Sequence, residues 1–214
     1  LPLCHLMPCV VAIGALVEKF GATAVLCTAT QPVLGDLIQR FAPSHAVSEI
    51  CPEIPFYFDK FRRVTFRQVG VLEDDALAEL LCAHEQVLCI VNSRKAAQSI
   101  FSKLPEEGRF HLSTLMVPAH RRTVLEEIRR RLNDSLPCRV VSTSLVEAGV
   151  DIDFPAVYRE LAGLDSILQA AGRCNREGKR AAENSIVTIF RRTEKAPPLF
   201  GQAIGATNIA LDNN

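Results

Sequence analysis

Two short stretches of the chain carry the residues best suited to chemistry. Residues 142–154 read STSLVEAGVDIDF and residues 169–176 read QAAGRCNR. The first stretch places hydroxyls, a glycine and carboxylates in one strand-to-helix connection. The second places Arg173 and Arg176 three residues apart behind Gln169, which in a helix puts both guanidiniums on one face. Two guanidiniums that face one point suit the spread charge of a triphosphate during phosphoryl transfer.

The alternative for the two arginines is an ordinary solvated helix face. The residues around them favour a site instead. Small residues at 170–172 make the face narrow, so a ligand can approach it closely. Apolar residues within 164–168 supply the buried side of the same helix. The glutamine and the arginines then point to where the strands end, which is the usual ligand side of an open α/β sheet.

The elements that position these residues alternate regularly along the chain. Apolar or alternating runs predict strands, and 3.6-residue periodicity predicts helices between them. We predict strands at 63–69, 87–91, 111–115, 138–142, 156–160 and 185–190. We predict helices at 73–83, 94–104, 119–133 and 164–175. This order indicates an α/β fold, with a parallel sheet and helices on both faces.

The first 45 residues do not fit that pattern. They predict a helix at 6–20, a strand at 23–27 and a short helix at 32–41, which together cannot build a core. The stretch 42–62 contains three prolines and is interpreted as an irregular linker. We therefore divide the chain into a remnant with the start of a linker at 1–45, a domain at 46–195 and a tail at 196–214 that leads toward a missing C-terminal region.

Four stretches, in this order, resemble motifs of the superfamily 2 helicases. They are VLCTATQP at 25–32 for the third motif, VLCIVNSRKAA at 87–97 for the fourth, TSLVEAGVD at 143–151 for the fifth and QAAGRCNR at 169–176 for the sixth.

The amino-acid sequences of residues 21–37, 111–132 and 138–179 indicate a narrower family within this superfamily. They resemble the CRISPR-associated helicase–nuclease of type I systems, most of all the type I-C branch. The resemblance covers residue 1 to about residue 195. It implies that 46–195 form the second RecA-like lobe of such a helicase and that 1–45 end the first RecA-like lobe.

The resemblance implies that ATP, with Mg²⁺, is held between two lobes. Asp151 would accept hydrogen bonds from the ribose hydroxyls, although it could merely cap the following turn. Gly149 would let the backbone turn tightly under the nucleotide. Arg176 would be the arginine finger, with Arg173 beside it on the γ-phosphate, and Gln169 would orient the water or the phosphate. The magnesium ligands are expected in the missing first lobe.

The same motifs imply a track for a nucleic-acid backbone. Ser142 and Thr143 are placed to bond a phosphate through hydroxyl and backbone N–H groups. Ser93, Thr114 and Arg121 lie at neighbouring strand ends or at the start of the next helix, so they could extend that track. A capping or surface role is the alternative for Ser93, Thr114 and Arg121.

Two further groups of residues are candidates for coupling hydrolysis to strand separation and for stacking on bases. Thr28 and Thr30 resemble the third motif, which couples hydrolysis to strand separation by bonding an acidic box in the first lobe. Phe154, Tyr158 and the aromatic run 56–58 could stack on bases, although such aromatics more often belong to a core.

The composition argues against a uniformly basic nucleic-acid-binding protein, a protein with a cysteine-ligated metal and a membrane-spanning protein. Lys and Arg number 24 and Asp and Glu number 24, so any nucleic-acid site must be local. The eight cysteines form no CxxC pair, which indicates free core thiols in a reducing cytosol and no metal site. The apolar N-terminal stretch is interrupted by Glu18 and Lys19, so we expect neither a signal peptide nor a membrane span.

The 214 residues contain no GxxxxGK[ST] motif, no DExH or DExD box and no nuclease-like His–Asp pair. We therefore expect this segment alone to lack ATPase activity.

The leading hypothesis is the second motor lobe of an ATP-dependent translocase or helicase on single-stranded DNA. In the family it acts with a nuclease domain, recruited by an RNA-guided CRISPR surveillance complex, to degrade invading DNA in the cytoplasm. Another superfamily 2 motor, such as an RNA helicase, is the first alternative. The second is a non-catalytic RecA-like binding module. The intact Arg173, Arg176 and Asp151 argue against that module, whereas the missing phosphate loop argues for it unless the chain is truncated.

Overall fold

The computed structural model describes residues 3–27, 34–147, 149–194 and 200–212. The chain divides into two compact units, Leu1–Phe61 and Arg62–Asn214. Residues 46–61 belong to the first compact unit, so the second unit starts later than the predicted domain start at residue 46. How these units correspond to the lobes of a motor stays a prediction.

The first unit contains three helices in its described part, namely α1 Leu3–Phe20, α2 Gly35–Gln39 and α3 Ile54–Lys60. Val10 of α1 and Ile38 of α2 are buried. The Glu18 carboxylate lies 3.2 Å from His45 Nδ1 and accepts a hydrogen bond from the Ser44 hydroxyl, which lowers the pKa of Glu18. These contacts tie the end of α1 to the segment after α2.

Two expectations for this unit are wrong. Residues 23–27 form no strand, because the described part of the first unit offers no other strand to satisfy their backbone groups. The supposed linker contains α3, with Pro55 in its first turn. Proline is tolerated there, since the first N–H groups of a helix have no partner within it. Along the described residues, no helix is both long and apolar enough to cross a membrane.

The described part of the second unit contains six strands and five α-helices. The strands are β1 Thr65–Leu72, β2 Gln86–Ile90, β3 Arg109–Leu112, β4 Cys138–Ser142, β5 Ala156–Glu160 and β6 Ile186–Arg192. The helices are α4 Asp74–Cys82, α5 Arg94–Lys103, α6 Pro118–Asn133, α7 Leu164–Ala171 and α8 Gly201–Asp212. All strand pairs are parallel, in the order β1-β6-β5-β2-β4-β3. This confirms the predicted α/β fold with a parallel sheet.

Helices cover both faces of the sheet, as expected. Leu88 and Ile90 of β2 pack in one cluster with residues of α6 and α7. Val87 and Cys89 of the same strand pack in the other cluster, with residues of α4 and α5. A strand buried on both faces reads as a continuous apolar run, which is why β2 and β4 could be located from the sequence. Their carboxyl ends therefore emerge from between the two buried clusters.

The end of α7 differs from the prediction. The helix stops at Ala171 rather than at 175, and Gly172 is its C-cap. Asn175 has φ 48°, which a right-handed helix cannot accommodate. The chain instead runs beside residue 154, where Phe154 N–H donates to the Arg173 carbonyl at 2.9 Å and Asn175 N–H donates to the Phe154 carbonyl at 3.0 Å. The two arginines therefore do not share a helix face.

The C-terminal stretch is more ordered than its weak pattern indicated. The helix α8 places Ile204 and Leu211 against a small cluster formed by Leu161, Ile167 and Ile189. Residues 200–212 therefore belong to the second unit, in contrast to the predicted tail at 196–214.

Candidate nucleotide and nucleic-acid site

A cleft of about 420 Å³ opens where β2, β3 and β4 end. It is lined by Asn92, Ser93, Arg94, Lys95, Thr114, Thr143 and Ser144. We call it the strand-end cleft. It brings together Ser93, Thr114 and Thr143, three of the five residues predicted to contact a nucleic acid. Parallel strands end at the same edge of a sheet, so this convergence follows from the topology.

Thr143 is the most informative residue of the strand-end cleft. Its backbone N–H donates to the Leu112 carbonyl at 3.3 Å. Its hydroxyl Oγ1 is buried without a hydrogen-bond partner, and the residue is only 8% exposed. A buried hydroxyl without a partner costs about 1–3 kcal/mol. A ligand oxygen in the cleft would satisfy this hydroxyl.

Ser142 and Arg121 do not line the cleft. Ser142 is fully buried, and its hydroxyl hydrogen-bonds the carbonyls of Thr143 at 2.8 Å and Leu112 at 3.3 Å. The expected contact between this hydroxyl and a phosphate is therefore corrected, because the hydroxyl is already engaged inside the protein. Arg121 is half-buried in the first turns of α6, outside the cleft lining.

Ser93 has the capping role that was its alternative. Its hydroxyl oxygen accepts a hydrogen bond from the Ala96 N–H at 3.1 Å and so caps α5. The N-terminus of α5 thus faces the cleft, beside the exposed Arg94 and Lys95. A helix N-terminus with two cations favours a bound anion. Lys95 pairs with Glu194 at 3.0 Å, but this exposed pair is worth at most about 1 kcal/mol and can yield to a phosphate.

The segment 172–180, which we call the arginine turn, follows α7. Its Arg173 is 7% exposed and donates from Nε to the Val146 carbonyl at 2.8 Å and from Nη2 to the Glu147 carbonyl at 2.7 Å. Burial, with the charge of Arg176 nearby, lowers the pKa of Arg173. Arg173 therefore holds the fifth-motif turn. Its guanidinium is bonded to backbone carbonyls inside the protein, so the structure does not place it beside Arg176 for contact with a γ-phosphate.

Arg176 contacts the residue predicted to bind ribose. Its Nε lies 2.9 Å from Asp151 Oδ1, with the two side chains 43% and 81% exposed. Its backbone N–H donates to Asp153 Oδ1 at 2.7 Å, so Asp153 caps the arginine turn. Arg129 of α6 donates to the Asp151 carbonyl at 2.9 Å and fixes the backbone there. The structure thus brings the predicted finger and the predicted ribose ligand together, in a pair that a nucleotide could separate at small cost.

The remaining predicted nucleotide residues lie nearby in sequence. Gly149 has φ +70° with open space around its missing side chain, so the position needs glycine for its conformation and not for packing. Gln169 is half-buried in the last turn of α7.

Other predictions have mixed outcomes. Thr28 and Thr30 lie outside the described residues. Phe154 and Tyr158 are buried in the core, whereas the aromatics at 56–58 are exposed. Cys89, Cys138 and Cys174 are free and buried as expected, but Cys27 and Cys51 are free and exposed.

Sequence reasoning missed the residues that lock this region. Asn175 is fully buried, and its side-chain amide donates to the carbonyls of Arg63 at 2.8 Å and Arg180 at 2.7 Å. Arg159 is 1% exposed and lies 3.0 Å from Glu147. The sequence does contain a signal for this contact. The otherwise apolar run AVYRE ends in two charged residues, Arg159 and Glu160, and a buried strand rarely carries a charge without a partner.

Comparison with known proteins finds similarity to one family over the part of the chain that carries this site. The family model for the C-terminal part of the CRISPR-associated nuclease/helicase Cas3 matches residues 83–179. The Cas3 of Haloferax volcanii is 37% identical over 83 residues, which are 37% of this chain and 9% of that protein. The Cas3 of Methanothermobacter thermautotrophicus is 28% identical over 145 residues, 64% of this chain and 18% of that protein. The matched part therefore spans under a fifth of either relative's length.

Solved structures agree on the fold. T. fusca Cas3 with AMPPNP superposes with a TM-score of 0.56 and 18% identity, over 71% of this chain and 22% of that one. A CRISPR RNA-guided surveillance complex in a pre-nicking state contains a chain with a TM-score of 0.54 and 18% identity, over the same shares. The family model and the two relatives confirm the family resemblance, and the solved structures confirm the RecA-like fold, while the type I-C branch stays a prediction.

Proposed function

We propose that this chain, which carries the C-terminal helicase lobe of the Cas3 family, is the second motor lobe of an ATP-dependent translocase on single-stranded DNA. The observation that carries the proposal is the buried, unpartnered hydroxyl of Thr143 in the strand-end cleft. A polar group left without a partner in a cleft with local cations and a helix N-terminus fits a phosphate ligand.

The strand-end cleft suits a nucleic-acid backbone more than a base. Its lining consists of hydroxyls, an amide and two cations, and phosphate contacts of this kind position a strand without reading its sequence. They would serve DNA and RNA alike, so the preference for DNA rests on the family resemblance. The net charge of zero is compatible with this site because the positive charge is local, at Arg94 and Lys95.

The other part of the site suits one edge of a nucleotide. The exposed Asp151 carboxylate fits a pair of ribose hydroxyls, and the Arg176 guanidinium fits a phosphate. ATP would supply the phosphoryl group and Mg²⁺ would neutralise its charge. Arg176 would bind the charge that develops on the transferred group, and Asp151 would orient the sugar. The AMPPNP in the T. fusca structure supports nucleotide binding in the family.

Partners follow from the same proposal. A first lobe would provide the phosphate loop and the magnesium ligands, and a nuclease domain would cut the translocated strand. The neighbour structure of an RNA-guided surveillance complex supports recruitment to such a complex. The free thiols among the described cysteines favour action in the cytosol.

Salt dependence of binding by the full-length gene product tests the proposal. For single strands, the logarithm of affinity falls with the logarithm of salt by about 0.7 for each neutralised phosphate. Exchanging both cations of the cleft, Arg94→Gln with Lys95→Gln, is therefore expected to reduce the slope by about 1.4. Fluorescence anisotropy with a labelled oligodeoxythymidylate measures it.

The matched control is Arg130→Gln with Arg131→Gln, two cations of α6 that do not line the cleft. An equal change of slope in both double variants contradicts the proposed cleft. Phosphate release that is stimulated by single-stranded RNA but not by DNA favours the RNA helicase. Binding of DNA without any stimulated hydrolysis favours the non-catalytic module.

A further inference from the structure

A buried polar chain connects the strand-end cleft with the arginine turn. Arg159 of β5, only 1% exposed, is its centre. Its Nη1 donates to Asn92 Oδ1 at 2.8 Å, and Asn92 lines the cleft. Its Nε lies 3.0 Å from Glu147 Oε1, in the fifth-motif turn. One guanidinium therefore touches one residue from each of two neighbouring connections.

The chain continues from Glu147 into the arginine turn. The Glu147 carbonyl accepts a hydrogen bond from Arg173 Nη2 at 2.7 Å, and the neighbouring Val146 carbonyl accepts one from Arg173 Nε at 2.8 Å. Arg173 lies three residues before Arg176. The full path is Asn92, Arg159, Glu147 and Arg173, and each step is a polar contact of 3.0 Å or less.

The geometry of this path is highly constrained at the cleft. The Asn92 amide donates from Nδ2 to the Leu161 carbonyl at 2.8 Å, and its backbone N–H donates to Glu160 Oε2 at 2.7 Å. Arg159 Nη1 also donates to the Glu160 carbonyl at 2.7 Å. Asn92 therefore cannot rotate without disturbing the guanidinium. The two outer steps of the path are hydrogen bonds, and the central step is a buried ion pair whose Nε and Oε1 atoms make no hydrogen bond in the described part of the chain. Charges in a low-dielectric interior interact strongly, so a shift of Asn92 acts on the guanidinium and through it on Glu147.

Stability does not explain why a charged pair lies here. Removing two ions from water is costly, and burial raises the pKa of Glu147 while it lowers that of Arg159. Well-packed apolar residues at such positions are often as stabilising as the ion pair they replace. A positioning role accounts for the pair better than a purely structural one.

We propose that Arg159 is a positioning residue that couples occupancy of the strand-end cleft to the placement of the arginine turn. The inference rests on the proposed function. A phosphate bound at Thr143 and Ser93 shifts Asn92, the guanidinium follows, and Glu147 carries the shift to Arg173 and the turn that holds Arg176. Such coupling is reciprocal, so a nucleotide tightens DNA binding by the same factor by which DNA tightens nucleotide binding.

The test uses the double variant Arg159→Met with Glu147→Leu in the full-length protein. It removes both charges together, so neither ion is left buried alone. Unstimulated phosphate release and DNA affinity without nucleotide are expected to stay within about twofold of wild type, because neither residue contacts a ligand. The factor by which single-stranded DNA stimulates hydrolysis is expected to fall at least about fivefold, the lower end of typical coupling.

A matched control removes the same residue types elsewhere. Arg130→Met with Glu127→Leu breaks the exposed pair at 2.7 Å on α6 and is expected to leave stimulation unchanged. The second variant, Arg159→Lys, keeps the charge, but an ammonium lacks the fork that spans Asn92 and Glu147. It is expected to lose stimulation as the double variant does.

The last measurement separates a coupling role of Arg159 from a purely structural one, because a purely structural residue would not change the effect of a nucleotide on DNA affinity. DNA affinity is measured with and without AMPPNP, and the ratio is expected to approach one in both Arg159 variants but not in the control. A folded Arg159 variant that keeps the wild-type ratio and stimulation overturns the inference. A wild-type protein that shows no DNA stimulation contradicts the proposed function instead, so the two failures are distinguishable.

Discussion

The strand-end cleft and the arginine turn lie in the same unit and differ in how far their polar groups are satisfied. In the cleft, the Thr143 hydroxyl is buried without a partner. In the arginine turn, Arg173 bonds two carbonyls and Arg176 pairs with Asp151. The cleft is therefore ready for a ligand, whereas the turn is latched by its own contacts. A ligand in the cleft would gain a hydrogen bond that the protein leaves unmade, whereas a nucleotide at the proposed site would have to separate Arg176 from Asp151.

The difference also separates two arginines that look equivalent in the sequence. Arg176 is 43% exposed in an ion pair that water screens, whereas Arg173 is 7% exposed and bonded to backbone. The first can move at little cost and the second cannot. Exposure, and not the spacing in GRxxR, distinguishes the candidate finger from the structural arginine.

The largest effect is expected from Arg176→Ala in the full-length protein. Loss of an arginine finger lowers the rate of phosphoryl transfer by about 10³–10⁵. Affinity for single-stranded DNA is expected to stay within about twofold, since Arg176 does not line the cleft. Stimulated phosphate release and anisotropy measure the two properties. Arg176→Lys should not restore activity, because an ammonium lacks the planar fork.

Arg180→Ala, in the same turn, is the control for that substitution, since its side chain lies 3.6 Å from Asp153 and it has no assigned ligand. Equal loss of DNA affinity and hydrolysis in Arg176→Ala would mean that the cleft and the turn do not serve separate ligands.

The next effect is on stability, in Arg173→Met. The substitution leaves the carbonyls of Val146 and Glu147 buried without their donor, so the free energy of unfolding should fall by about 3 kcal/mol. Urea unfolding measures it, and hydrolysis and DNA affinity should decline together. Unchanged stability with a selective loss of hydrolysis would restore the original hypothesis that Arg173 contacts the γ-phosphate.

A smaller effect is expected from Thr143→Val. Loss of one hydrogen bond to a phosphate should weaken single-stranded DNA binding about fivefold, which corresponds to about 1 kcal/mol. Stability should stay level or rise slightly, since an unsatisfied hydroxyl disappears. Ser142→Ala is the matched control because its hydroxyl is bonded inside the protein, so it should lower stability and leave DNA affinity unchanged. The reverse outcome for this pair contradicts the assignment of Thr143 to the cleft.

The smallest effect is a difference in pH dependence between buried and exposed carboxylates. The exposed Glu127 has its pKa lowered to about 2 by Arg130 and Arg131, so its contribution to stability is present above its unfolded pKa and is lost as the pH falls toward 2. Burial raises the pKa of Glu147, so protonation of that group favours the folded state as the pH falls.

Thermal unfolding from neutral pH down to about pH 2 checks these opposite signs, because the Glu147 effect arises above its unfolded pKa and the Glu127 effect arises below its own. Glu127→Gln should make the loss of stability toward acid shallower, and Glu147→Gln should make it steeper. Equal slopes in both variants would contradict the difference between the two environments.

The sheet could be predicted from the sequence because parallel strands buried on both faces are continuous apolar runs. The prediction for β4 at 138–142 matches its bounds, and that for β2 is displaced by one residue. The gathering of Ser93, Thr114 and Thr143 followed from the same logic. In contrast, α8 has no marked apolar pattern, and α3 has Pro55 in its first turn, where prolines favour a prediction of irregular chain.

The site could be predicted only in part, because its contacts depend on strand order and on single dihedral angles. Arg159 reaches Asn92 because β5 lies beside β2, and nothing in the local sequence specifies that neighbour. The path of the chain after α7 depends on the positive φ of Asn175. Asparagine tolerates this conformation but adopts others as well, so the residue type alone does not predict it. Ionic partners between distant segments, such as Glu147 and Arg159, become visible only once the sheet is assembled.

The anchoring of Asn175 has a mechanical consequence. Its amide donates to the carbonyl of Arg63, the second residue of the second unit, and the Arg63 side chain donates back to the Arg176 carbonyl. A force applied to the chain where it enters β1 thus reaches the arginine turn through two hydrogen bonds, without crossing the core. The start of the second unit and the loop that carries Arg176 are therefore mechanically coupled, so a displacement of residues 62–63 acts directly on that loop.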